Sequence, residues 1–143
     1  MGRVEAMTSG ERKARLSDYF ARVRRLPFQP GSHDCCLFAA GAVEAITGAD
    51  PAANFRGAYT NVEDGNVLLQ QAGYTDSLDI LAALFPAIHR SQAVDGDLAV
   101  VNAHEGLAVG VVSGAHVFLA GPDGMGRIDL LDRRVRRKAY RVI

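Results

Sequence analysis

Asp34-Cys35-Cys36 is the place in this chain where residue type and spacing suggest a nucleophile. The cysteines follow a turn-rich stretch, Pro27-Phe28-Gln29-Pro30-Gly31-Ser32-His33. They open an apolar run that reads as a helix ending near Thr47-Gly48, with Asp34 or Ser32 as its N-cap. Cys35 then falls in the first helical turn. There the unpaired backbone N–H groups and the positive end of the macrodipole favour thiolate over thiol. The competing reading makes both cysteines small core residues, since free cysteine is among the most buried residue types.

A thiolate needs a base or an imidazolium partner within hydrogen-bond reach. Four histidines are available. His33 precedes the helix and is expected to point away from it, and His89 opens a strand with no special claim. His104 stands at the apex of Ala103-His104-Glu105-Gly106, and His116 begins the strand after the next turn. Each taken singly also reads as a solvated loop histidine. Two adjacent cysteines with His33 lack the paired spacing of a closed tetrahedral zinc site, and no cofactor motif appears. Vicinal cysteines rarely bridge each other, so reduced thiols are expected. The Cys-x-x-Cys spacing of a redox module is missing.

The elements that must position these groups come in two blocks. Ser9 to Arg25 reads as a helix, with Leu16, Tyr19, Phe20 and Val23 on one side. The helix at Cys35 offers Phe38, Ala42, Ala45 and Ile46 for packing, and Gly41 leaves room for a close neighbour. Phe55-Arg56-Gly57-Ala58-Tyr59 has no period and reads as an ordered loop able to wall a cleft, with Arg56 and Tyr59 as binding or supporting residues. Asn61 caps a helix running to Gly73, and Ser77 to Phe85 forms a shorter one stopped by Pro86. From Ala87 onward the pattern changes to short strands at 88–93, 97–103, 107–113, 116–120, 127–131 and 138–143. The expected architecture is α+β: helices over 9–85 packed on an antiparallel sheet or partial barrel over 87–143, within a single domain of residues 1–143.

Net charge is zero but unevenly spread: residues 1–25 carry +4, residues 26–132 carry −10 and residues 133–143 carry +6. The acidic middle argues against a nucleic-acid partner, and the basic ends suit an acidic one. No apolar run approaches the roughly 20 residues of a membrane span. Residues 1–25 lack a signal-peptide core, so synthesis in a cytoplasm is expected.

Pro27-Phe28 with Gly31, Asp34-Cys35 opening an apolar helix, and Gly96-Asp97-Leu98 beginning a valine- and glycine-rich strand together resemble the NlpC-type, papain-related cysteine peptidases. Those enzymes cleave stem peptides of bacterial cell walls, and the resemblance covers roughly residues 26–121. It implies Cys35 as nucleophile, its own helix-terminal N–H as oxyanion donor, Cys36 in the place of a small residue, and peptidoglycan peptide as partner. The variant with Asp34-Cys35-Cys36 is most similar to small proteins of phage tail and gene-transfer-particle gene clusters, which implies tail proteins as alternative partners and incorporation into such a particle. The family histidine has two registers here. In one, His104 is the base and His116, twelve residues on, orients it. In the other, Ala108-Val109-Gly110-Val111 matches the histidine strand, leaving Ala108 and Ala120 at the two polar positions. Pro30 stands near the place of the family tryptophan. The first register implies a working hydrolase, the second a degenerate protein that binds or assembles without turnover.

Overall fold

Two side-chain caps start the helices on which the site depends. The computed structural model describes residues 7–143; residues 1–6 of the single-domain expectation lie outside the described residues. In α1 (Ser9–Val23), Thr8 accepts the Glu11 amide at 3.1 Å. In α2 (Cys35–Thr47), Asp34 accepts the Leu37 amide at 2.9 Å, and Gly48 closes the helix in left-handed geometry. Asp34, not Ser32, is therefore the cap. Next come α3 (Val62–Gln71), capped by Asn61, and α4 (Ser77–Leu84), capped by Asp76.

The second block is β1 (Ala87–His89), β2 (Leu98–Ala103), β3 (Gly106–Ser113), β4 (His116–Leu119), β5 (Gly126–Asp129) and β6 (Val135–Tyr140). They form one antiparallel sheet in the order β1-β6-β2-β3-β4-β5. The α+β architecture expected from the sequence is thus the observed one. The site-bearing strand β3 lies between β2, in register from Leu98 against Val111 to Ala103 against Gly106, and β4, with Ser113 against His116.

The first and last strands depart most from expectation. The first stops at His89, whose Nδ1 accepts the Ser91 amide and turns the chain into a short 3₁₀ segment, Arg90–Gln92. The last begins at Val135 rather than 138, because Val135 joins the apolar cluster of the outer sheet face while the Arg134 carbonyl accepts the Asn102 amide. It stops at Tyr140, since the Val142 amide turns to a side-chain carboxylate, that of Asp97.

Helix α2 is the centre of the molecule. Every residue from Leu37 to Val43 is buried, between α1 on one side and Val109 and Val111 of β3 on the other. Complete burial of side chains such as Phe38 and Val111 contributes about 1.5–3 kcal/mol each. Gly41 has the close neighbour its size predicts: Tyr19 of α1 lies over it and donates its hydroxyl to the Phe38 carbonyl at 2.7 Å. Asp97, fully buried, ties the N-terminal helix to the sheet. Its carboxylate accepts from Arg12 at 3.2 Å, Arg141 at 3.0 Å and the amides of Val94 and Val142. No helix among the described residues is long and apolar enough to cross a membrane.

Candidate functional site

The turn before α2 is built around the Asp34 carboxylate. One oxygen caps the helix; the other accepts the Gly31 amide at 3.1 Å and the Tyr59 hydroxyl. Gly31 has φ near +82°, and a Cβ there would run into the Tyr59 backbone, so the turn requires glycine. The Gly57 amide returns to the Gly31 carbonyl at 2.8 Å. Burial, and then the bond to Asp34, push the Tyr59 hydroxyl well above its ordinary range, so it stays a donor.

Of the two roles the sequence offered Arg56, binding or support, its contacts are those of support. Its Nε pairs with Asp50 at 2.6 Å and its Nη2 donates to the Leu37 carbonyl at 3.1 Å, fastening the loop to α2. It does not line the cavity described next; Phe55 and Tyr59 of the same loop do.

Cys35 and Cys36 open onto a cavity of about 660 Å³ enclosed by the start of α2, the loop after it, α3, α4 and the first half of β3. Cys35 lies on the sheet side of the start of α2, beside Val109 of β3. The neighbouring Cys36 thiol, as hydrogen-bond donor, lowers the Cys35 pKa to about 7, helped by the Val109 and Cys36 amides and opposed by burial and the Asp34 charge. Cys36 moves the other way. The bond to Cys35 and burial raise it well above an ordinary thiol, with the Ser77 hydroxyl acting against that rise. The pair is therefore one thiolate-prone sulfur and one that keeps its proton.

No histidine among the described residues lines this cavity. His104 is exposed at the tip of the β2–β3 turn, while Ala103, Glu105 and Gly106 around it line the wall. His116 is across from Ser113 on β4, its Nε2 3.5 Å from the Asp129 carboxylate. The structure thus brings Asp34, Cys35, Cys36 and Tyr59 together and leaves His104 and His116 outside the wall. At the wall stand Ala108 and Ala120, with Val109 as the β3 side chain in the core against α2. His33 does not point away from α2: its ring is buried edge-on to Phe38 at 5.8 Å, with Nε2 unpartnered, and burial lowers its pKa. His89 is bonded to Ser91 at the end of β1, rather than opening the strand.

Without an imidazole beside the sulfur, amide cleavage loses proton delivery to its leaving amine, a contribution on the order of 10²–10⁴-fold. What sequence reading missed is the share of α3 and α4 in the cavity. The apolar spacing of Val62, Leu69, Ile80 and Leu84 carried that signal, but as ordinary amphipathic pattern.

The whole chain is similar in fold to RipD from Mycobacterium tuberculosis, described as a non-catalytic NlpC/p60 domain protein adapted to peptidoglycan binding. The TM-score is 0.50 and the identity 18%, with 97% of this chain and 100% of that chain covered. The fold is accordingly NlpC/p60-like. No curated protein matches the chain. Residues 9–142 match the family described as a domain of unknown function (DUF6950), and the chain belongs to that family.

Proposed function

We propose that this chain is a non-catalytic NlpC/p60-like module that binds peptidoglycan. The observation that carries the reading is the lining of the cavity at Cys35, where Val109 packs toward α2, Ala108 and Ala120 also line the wall, and no histidine among the described residues does. The likeness to RipD, itself described as non-catalytic and peptidoglycan-binding, supports it. The test is to mix the purified protein with insoluble sacculi, sediment them, and chromatograph the supernatant. Binding without release of muropeptides is the expected result; fragments released by the unaltered protein but not by Cys35→Ala would overturn it.

The acidity of Cys35 favours a second reading, a cell-wall cysteine hydrolase with Cys35 as nucleophile and His104 and His116 as base and orienting group. It requires the β2–β3 turn to carry His104 to the sulfur, and the same chromatogram tests it. The Asp34-Cys35-Cys36 variant supports a narrower form of the first reading: a module made in a cytoplasm and built into a phage-tail-like particle. Co-purification with tail proteins tests that form, and a chain that stays monomeric beside them counts against it.

A further inference from the structure

The side chains lining the cavity offer a peptide few partners. A peptide brings an N–H and a C=O with every residue, and each one buried needs a partner. Among the described residues no lysine, arginine or histidine lines this cavity, and the Tyr59 hydroxyl and both Asp34 oxygens are already committed to each other and to the backbone. Beyond the two thiols, the polar side chains left are Asn66, Ser77 and Glu105. From Cys35 to Val43 the α2 wall runs about 12 Å at ~1.5 Å per residue.

The mouth is apolar as well. Val62 of α3, Leu84 of α4, Phe28 of the turn before α2 and Leu107 of β3 all line the cavity, yet are 55%, 46%, 40% and 38% exposed. Helix α3 has no buried residue; Val62 and Leu69 on it face the cavity. A volume of about 660 Å³ is that of a small-molecule site.

We propose that this cavity binds the hydrocarbon chain of a single-chain, uncharged amphiphile such as a fatty alcohol. The chain needs no hydrogen-bond partners along its length, which suits walls poor in polar side chains. Its head must be neutral, because the lining carboxylates of Glu105 and Asp34 would repel a carboxylate while no lining cation among the described residues attracts one. The inference goes beyond peptidoglycan binding and does not rest on it.

The experiment uses Nile red as an uncharged fluorescent probe, displaced by 1-dodecanol or by dodecanoate. Dodecanol is expected to displace the dye saturably and at least about tenfold more effectively than dodecanoate, and to slow iodoacetamide labelling of Cys35 in the unaltered protein. Val62→Glu and Leu84→Glu, both at exposed positions, should weaken displacement by about tenfold or more, whereas Leu131→Glu, exposed outside the cavity, should not. Absence of saturable displacement, equal potency of dodecanoate, an apolar peptide outcompeting dodecanol, or rim variants that bind like the Leu131 variant would each overturn the proposal. Sedimentation with sacculi is read separately on the same proteins, so either reading can fail while the other stands.

Discussion

Tyr59 donates its hydroxyl to the Asp34 carboxylate that caps the helix beginning at Cys35. One side chain thereby fixes the loop after α2, the turn before it and the first helical turn. Tyr59→Phe removes a hydrogen bond to a charged group and should lower unfolding free energy by about 1.5–3 kcal/mol. Asp34→Ala also loses the cap and strands the Gly31 amide, for about 3 kcal/mol or more. Urea denaturation measures both; equal stability of Tyr59→Phe and the unaltered protein would show that the bond contributes nothing.

Cys35 should alkylate as a thiolate, its rate rising with pH through a midpoint of about 7. Denatured protein should show the ordinary thiol midpoint, near 8.5. Cys36→Ala removes the donor and should raise the native midpoint. Asp34→Asn keeps a competent cap but removes a negative charge, and should lower it. Because His104 and His116 lie outside the cavity wall, replacing either with alanine should leave the rate within about twofold. A large drop in the His104 variant would place its imidazole at the sulfur.

Asp97 is a buried charge with two arginines and two amides on it. Asp97→Ala leaves Arg12 and Arg141 facing an apolar gap and should cost about 3–5 kcal/mol, read as a shift in the urea midpoint. The double variant Arg12→Met/Asp97→Leu should recover part of that loss. No recovery would place the cost in Arg141 and the backbone amides rather than in Arg12.

His33 is held neutral by burial, so its native pKa lies below the unfolded value of about 6.5. The unfolded chain then binds more protons below pH ~6.5, and stability falls as pH drops through that range. His33→Leu should flatten the slope of unfolding free energy between about pH 6.5 and 5. An unchanged slope would assign the acid sensitivity to carboxylates.

The sequence by itself determined the elements whose signals are local. Gly48 after Thr47 and Asn61 before Val62 act within one turn of their helices, and both hold; before Cys35 the sequence offered Asp34 or Ser32, and Asp34 is the cap. Gly41 announced a close neighbour, and the glycine-punctuated strands from residue 87 gave the sheet, with end shifts where side chains outside the ladder, such as Asp97, captured the backbone. Tertiary structure alone decided which β residues meet the Cys35 sulfur. A strand's face and register are set by partners far along the chain, so two histidines twelve positions apart and an alanine register looked equally usable until β3 was placed against α2. The joint cavity of α2, α3 and α4 was hidden for the same reason: apolar residues at helical spacing state that a face is to be covered, and only the packed chain shows that α3 turns that face to a cavity.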